Sequence, residues 1–396
     1  MKNNKLFILS TIALFSLVGC GNSNKELNKA GELPSGGTAM DVTKDSTSIK
    51  EKLSNNLEAT ANSLDKVKVE GQFGNTNLKA KVNATNASMD LGGLELKGPV
   101  VANVELSKLS GDFSVAVEGL KQEDTSKIKV ASSLENMDAS LKATVSFPWY
   151  DFQAQKTIVE EETVKEGFSD LDLYAYYNEG FVYFDASDKE VDKFLGSLDE
   201  TVNRIISDLS LDQIIGTESI SVSDLVKSYL GEERKVKTSV QSITEGMTGP
   251  IIPDISEEQV ANLVQYVDFL AEAQGEYVIN EVEEDGDSQN GTIKAEFLTY
   301  KNGEFGLGFN VDFDIVDVDE DGDEQKVDIN LDAAILFGAD GLLKKTSAKI
   351  DLGLDTKSVE EESTTTVDLD FSTAFYANYS YGESVNLPDL TGYQEI

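Results

Sequence analysis

Apolar alternation with a period of two recurs along most of the chain and limits the possible folds more than any other feature. Successive side chains of a β-strand point to opposite faces, so this period predicts strands with one apolar and one polar face. Short segments rich in Gly, Asn and Asp separate these stretches, which favours an antiparallel meander with one solvated face. The alternating residues are Val67 and Val69; Leu78, Ala80, Val82 and Ala84; Val100, Ala102, Val104 and Leu106; Phe113, Val115 and Val117; Leu141, Ala143, Val145 and Phe147; Phe305, Leu307, Phe309, Val311, Phe313 and Ile315; and Val327, Ile329, Leu331 and Ala333.

An aromatic hairpin is predicted within this series. The segment Leu173 to Phe184 reads LYAYYNEGFVYF, with Asn178, Glu179 and Gly180 at its centre. Asn and Gly tolerate the positive φ angles that tight hairpin turns require. The turn is therefore expected at these three residues.

Two regions instead have the periodicity of helices. A narrow apolar stripe begins after Ser46 and contains Ile49, Leu53, Leu57, Ala61 and Leu64. The second region, about 187–275, contains three stretches with N-capping signals. These begin at Ser187 with Glu190, at Ser221 with Asp224, and at Ser256 with Gln259, and the second is expected to end at Gly231. The apolar faces of these helices are expected to pack on the core, and the alternative is that they line a ligand cavity.

These patterns together predict an α+β fold. We expect a large antiparallel β-sheet, resembling a half-barrel meander, with an N-terminal helix and a helical insertion at about 187–275. Residues 46–396 would form this single domain.

The first twenty residues indicate export and lipid attachment. Lys2 and Lys5 precede an uncharged apolar run that is too short to be a permanent transmembrane helix but has the length of a signal-peptide core. The run ends in Leu-Val-Gly-Cys, which resembles the bacterial lipobox. Residues 1–19 are therefore expected to be a signal peptide, with Cys20 receiving a diacylglyceryl group. An ordinary secretory signal with a chance cysteine is the alternative.

This interpretation predicts the location of the protein. The mature chain would be anchored to the cell membrane by acyl groups on Cys20 and face the extracytoplasmic side. Residues 20–45 are rich in Gly, Ser and Asn and lack apolar periodicity, so we expect a flexible tether there.

Composition excludes several functions. The formal net charge is −39, which disfavours nucleic acid as a partner; attraction of cations or basic partners is the alternative to a merely solubilising surface. The chain has no histidine, and its only cysteine is Cys20, so histidine-based catalysis and thiol nucleophiles are excluded. We expect no enzymatic activity and no cofactor. A pair of carboxylates for glycoside hydrolysis remains open because 72 acidic residues allow many combinations.

One acidic segment resembles a calcium loop. In DVDEDGDEQKVD, the residues Asp317, Asp319, Asp321 and Asp328 occupy positions one, three, five and twelve, with Gly322 at position six. A calcium-binding EF-hand requires helices on both sides of the loop, whereas both flanks here are predicted strands. We expect a plain acidic hairpin turn, and a structural calcium site is the less favoured alternative.

The order of elements resembles the lipid-binding half-barrel lipoproteins of the LolA and LppX type. Three phrases carry the resemblance: LYAYYNEGFVYF, FGADGLLKKTSAKIDL at Phe337 to Leu352, and SVNLPDL near the end. The resemblance implies an incomplete barrel curled around helices, with an apolar cavity that holds acyl chains. It implies no catalytic residues.

Two functions are therefore expected from the sequence. The first is a membrane-anchored lipoprotein that binds or carries a lipid or another apolar molecule. The second is a non-catalytic structural or interaction lipoprotein without a ligand cavity.

Overall fold

A computed structural model of the chain describes residues 26–396 apart from 92–93, 123, 152–155, 209–218, 241–264, 266, 283–286, 319–322 and 361–362. The strands are β1 (Thr38–Ala39), β2 (Lys66–Leu91), β3 (Leu94–Glu118), β4 (Lys129–Asp151), β5 (Lys156–Asn178), β6 (Phe181–Asp185), β7 (Lys235–Ser239), β8 (Glu276–Val282), β9 (Ser288–Thr299), β10 (Phe305–Val318), β11 (Glu324–Phe337), β12 (Leu343–Glu360), β13 (Ser363–Tyr381) and β14 (Gln394–Glu395). The α-helices are α1 (Ser46–Ser63), α2 (Lys189–Asp208) and α3 (Val222–Leu230); residues 267–272 are also helical, and Leu27–Lys29 and Thr125–Lys127 are short 3-10 helices. None of the helices in this described part is long and apolar enough to cross a membrane.

All fourteen strands belong to one sheet. Their order is β1-β9-β10-β11-β12-β13-β2-β3-β4-β5-β6-β7-β14, and β8 also pairs with β9. Neighbouring strands are antiparallel except for the short β7–β14 pair, which is parallel. The predicted α+β class with a large antiparallel meander is therefore confirmed. The aromatic hairpin is confirmed too, because β5 ends at Asn178 and β6 begins at Phe181.

Two apolar cores lie at the same end of the sheet. The first joins residues of β2, β3, β4 and β5, including Phe73, Phe113 and Leu134. The second joins Ile49 and Leu53 of α1 to Phe305 of β10 and its neighbours. The N-terminal helix is thus confirmed, and its apolar stripe is the part that packs.

The prediction of a flexible tether is wrong for residues 26–45. Leu27 is only 4 % exposed, and the backbone N–H of Gly31 donates to Ser347 Oγ at 3.1 Å. Leu33 packs against Gly306, and β1 adds to the edge of β9. The segment has few apolar residues. It packs where a glycine or a strand edge lets its backbone and side chains lie close to the sheet. We call residues 26–45 the N-terminal strap.

The helical insertion is divided between the two ends of the sheet order. Helix α2 packs on β5, whereas Val267 and Leu270 pack with α1 in the second core. Residues 235–239, inside the predicted insertion, form strand β7. Their alternation is too short to be distinguished from a loop by sequence alone, and pairing with β6 supplies the missing hydrogen bonds.

The capping signals were partly correct. At α3, Ser221 Oγ accepts a hydrogen bond from the N–H of Asp224 at 3.0 Å, and Gly231 follows with a φ of 72°, as predicted. At α2, the carboxylate of Asp188 accepts from the N–H of Glu190 at 2.7 Å. The predicted cap at Ser187 is therefore one residue too early, because the aspartate reaches the same N–H. The third predicted cap, at Ser256, lies outside the described residues.

Candidate functional site

Two continuous rows of apolar side chains cross the half of the sheet that lies away from the cores. The register places Leu78 opposite Leu106, and Leu106 opposite Leu141. The first row comprises Phe313, Ile329, Leu352, Phe371, Leu78, Leu106 and Leu141. The second comprises Ile315, Val327, Leu354, Leu369, Ala80, Val104, Ala143 and Val164. We call these fifteen residues the distal apolar rows.

The distal apolar rows lie on the same face as the two cores. Phe305 and Phe313 are eight residues apart on β10, and its pairing with β11 has no register shift between them. Phe375 packs on the first core, and the β12–β13 pairing is continuous from Phe375 to Phe371. Since side chains alternate strictly along an undisturbed strand, all these residues point to one face. The sheet therefore has one apolar face over its whole height.

The rows are less buried than the cores. None of their residues is fully buried, and Leu352 is 40 % exposed. Neither core cluster of the described residues includes any of them. A large apolar surface thus continues beyond the part of the sheet that the cores account for.

Helix α2 borders this face at β5 through polar contacts. Glu166 lies opposite Leu141, at the end of the first row, and is only 7 % exposed. Ser197 Oγ and Thr201 Oγ1 of α2 each donate to one of its carboxylate oxygens. A buried carboxylate is costly unless hydrogen-bonded, so these two hydroxyls fix the helix over β5.

Further contacts continue this attachment along the helix. The guanidinium of Arg204 donates to Glu162 at 3.0 Å and to the carbonyl of Thr163 at 3.1 Å. Phe194 meets Phe168 edge to face, with ring centroids 5.4 Å apart. Polar and aromatic contacts therefore hold α2 over β5, beside the end of the rows. Helix α1 occupies the same face over β9 to β12. The rows on β13, β2, β3 and β4 therefore fall between strands that carry the two helices.

The opposite face of the sheet is polar. A cleft of about 1130 Å³ lies under the N-terminal strap, against Lys294, Asn310 and Asp332. A second, of about 700 Å³, is lined by charged and hydroxyl side chains of β2 to β5 and β13. Its charged residues are Lys79, Lys81, Lys142, Lys165, Glu105, Glu161, Asp368 and Asp370. Such linings favour water and polar groups, so the apolar face is the better candidate for an apolar ligand.

The residues of the acidic loop are only partly described. Asp319 and Asp321 lie outside the described residues, but the flanks are strands as predicted, with β10 ending at Val318 and β11 beginning at Glu324. Asp317 lies opposite Gln325, and Asp328 lies opposite Asp314. These register positions place Asp317 and Asp328 on opposite faces of the hairpin, so the structure does not bring them together. Among the described residues no cluster of acidic side chains is arranged to hold a metal ion.

Asp328 instead takes part in a pair of like charges. A hydrogen bond with Asp314 raises the pKa of the Asp328 carboxyl, and partial burial and the charges of Asp314 and Asp355 raise this pKa further. The interaction favours a proton shared between the two carboxyls over two ionised groups.

Cys20, the predicted acylation site, lies outside the described residues, and lipid attachment stays a prediction.

Sequence reasoning did not identify Glu166 or Arg234. Arg234 is 4 % exposed and donates to both oxygens of Asp192, at 2.8 and 2.9 Å. The signal for Glu166 is its place in β5, where Glu160, Glu162 and Glu166 alternate with Val164 and Phe168 on the apolar-face positions. Acids at such positions indicate a polar partner on that face.

Comparisons with known proteins give no family. No family model and no curated protein matches the chain. Matches to solved structures are weak. The β-barrel of the InvG secretin domain from the Salmonella injectisome is 8 % identical, covering 82 % of this chain and 65 % of that chain, with a TM-score of 0.13. The β domain of the Bordetella autotransporter BrkA is 6 % identical, covering 81 % and 100 %, with a TM-score of 0.12.

A third match is Wzi, an Escherichia coli outer-membrane protein described as a carbohydrate-binding β-barrel involved in capsule assembly. It is 9 % identical, covering 96 % of this chain and 98 % of that chain, with a TM-score of 0.12. TM-scores this low carry no conclusion about the fold or the function of this chain. What is established is a β-rich protein built on one large, mostly antiparallel sheet.

Proposed function

We propose that this protein is a membrane-anchored lipoprotein that binds a lipid or another apolar molecule on the distal apolar rows, next to α2. The observation that supports the proposal is the continuity of those rows. Fifteen apolar residues in register extend across eight strands, on the face that already carries both cores.

The energetics favour an apolar ligand over a polar one. Each buried methylene contributes about 0.8 kcal/mol, so an acyl chain lying along either row would be held by area alone. The rows themselves carry no carboxylate, and the two that lie beside them on β5, Glu162 and Glu166, are already paired with α2. The proposal includes no catalytic step.

Anchoring would place this surface where apolar ligands are found. A lipidated Cys20 would hold the protein at the extracytoplasmic face of the membrane. The wholly apolar rows are suited to binding an acyl chain of a lipid from that membrane. The half-barrel lipoproteins that the sequence resembles combine the same two features.

The proposal is tested by binding of a fluorescent fatty acid to the delipidated protein. Val104 lies centrally in the second row, and its neighbour Asn103 is exposed on the opposite face. Val104→Lys is expected to weaken probe binding by at least about tenfold. A bound apolar probe would cover the lysine ammonium group and remove its water, which is costly. Asn103→Lys adds the same charge outside the site and is expected to bind like the wild type.

Melting temperatures of both variants provide the control for folding. A wild-type protein that binds no probe, and from which organic extraction releases no lipid, would instead support an interaction lipoprotein whose apolar face closes on its own side chains. Equal binding by Val104→Lys and Asn103→Lys would place the ligand elsewhere.

A further inference from the structure

Strand β8 leaves one edge of the sheet open. It pairs with β9 alone, from Glu276 opposite Lys294 to Val282 opposite Ser288, and no described strand lies on its other side. Six of its seven residues are exposed, with Val278 at 60 % and Val282 at 73 %. Among the described residues, β8 therefore has a neighbouring strand on one side only.

The hydrogen-bond pattern identifies which backbone groups are open. The N–H of Ala295 donates to the carbonyl of Gly275 at 3.4 Å, just before β8 begins. In an antiparallel pair every second residue bonds to the partner, so Tyr277, Ile279 and Glu281 direct their N–H and C=O groups at β9. Val278, Asn280 and Val282 direct theirs outward. The outward N–H of Glu276 is already taken by the carbonyl of Ala273, at 3.3 Å.

Within the described residues, this edge lacks most of the usual protection against strand addition. Exposed edges in natural proteins carry charged side chains (lysine above all), proline or a bulge, or are covered. The sequence EYVINEV has no lysine and no proline, its pairing with β9 has no register shift, and two valines are exposed on it. The outward donors and acceptors of Val278, Asn280 and Val282 form a template for one more strand.

Charge indicates which kind of strand would add. Glu276 is neutralised by Lys294 at 2.9 Å, whereas Glu281 has no ion pair among the described residues. A second copy of this chain would bring another net charge of −39 to the edge, which opposes self-pairing. A basic segment would be attracted by the same field.

We infer that β8 is a docking edge for an extended, basic segment of a partner protein, which adds to the sheet as a further strand. The backbone of Val278, Asn280 and Val282 supplies the hydrogen bonds. Apolar side chains of the partner cover the two valines, and a lysine or arginine lies beside Glu281.

The experiment removes one outward donor. Asn280→Pro deletes an N–H that does not bond to β9, and proline is tolerated on the open side of an edge strand. Asn280→Thr changes the same side chain and keeps the N–H. The probe is a fluorescent ten-residue peptide of alternating lysine and valine, measured by anisotropy with the purified full-length protein. Binding is expected to be unchanged in Asn280→Thr and at least about tenfold weaker in Asn280→Pro, because a peptide carbonyl loses its donor.

A second comparison does not depend on the variant folding. The same peptide with methyl groups on alternate backbone nitrogens keeps its charge but loses its donors, and it is expected to bind the wild-type protein much more weakly than the unmethylated peptide. Equal binding of the two peptides would mean that attraction is only electrostatic and would overturn the inference. Sedimentation of the wild type as a dimer that Asn280→Pro dissociates would also overturn it, since a second copy would then occupy the edge.

Discussion

Asp314 and Asp328 face each other across the β10–β11 pair on the polar face, an arrangement that ordinary sheet design avoids. Their hydrogen bond raises the pKa of Asp328, so the folded protein holds this proton more tightly than the unfolded chain does. The folded state therefore loses stability as the pH rises from the ordinary carboxyl range through the raised pKa. At neutral pH the pair opposes folding.

Asp328→Asn is accordingly expected to stabilise the protein at pH 7 by a few tenths of a kcal/mol, since the site is largely exposed and screened. The gain should disappear at about pH 3, where Asp328 is protonated in both states. Urea unfolding at the two pH values measures it. Asp317→Asn is the matched control, because Asp317 lies opposite Gln325 and has no acidic partner across the pair. A gain that is the same at both pH values would contradict the like-charge explanation.

At the scale of elements, local signals predicted the structure where neighbours in the chain determine it. The end of α3 at Gly231 and the turn after Asn178 follow from φ preferences that any fold must satisfy. The packing of α2 on β5 was not predictable. It depends on hydrogen bonds from Ser197 and Thr201 to Glu166, which is 31 and 35 residues away in sequence and lies on a different element. A hydroxyl on a helix has many alternative partners, and periodicity does not select among them.

The attachment of α2 depends on the two hydroxyls that donate to Glu166. Thr201→Val removes one of the two hydroxyls that donate to Glu166 and is expected to lower the free energy of unfolding by about 1.5–3 kcal/mol, the range for hydrogen bonds to charged groups. Glu200→Ala, an exposed neighbour on the same helix, is the control. In a Glu166→Leu background the effect of Thr201→Val should largely disappear. An undiminished effect there would show that Thr201 acts through packing alone.

At the scale of the whole molecule, the sequence predicted a large antiparallel sheet with one apolar and one polar face, but neither that all strands belong to one sheet nor the path of residues 26–45. The strap has no periodicity, and its contacts lie with residues about 260 to 320 positions later, such as Ser347 and Tyr300. Periodic sequence patterns show which side of a helix or strand packs on a core. The strap has no such pattern, because it packs at individual glycines and at one strand edge. The same limit applies to the candidate site: ten of its fifteen residues lie in segments whose alternation was predicted, but their common register across the sheet was not.

The strap limits how far the predicted lipid anchor could hold the sheet from the membrane. Only five residues, Gly21 to Lys25, separate the predicted acylation site from the described strap, and even a fully extended chain from Cys20 to Glu26 spans at most about 20 Å. A lipidated Cys20 would thus hold the sheet close to the membrane.

Cys20→Ala is expected to abolish labelling by palmitate and to leave the protein either uncleaved or released from washed membranes. Gly21→Ala, one residue beyond the cysteine, should remain labelled and membrane-bound. Normal processing and membrane retention of Cys20→Ala would refute the predicted anchor. That variant has no thiol to which an acyl group could be attached, and acyl groups are what is expected to hold the protein at the membrane.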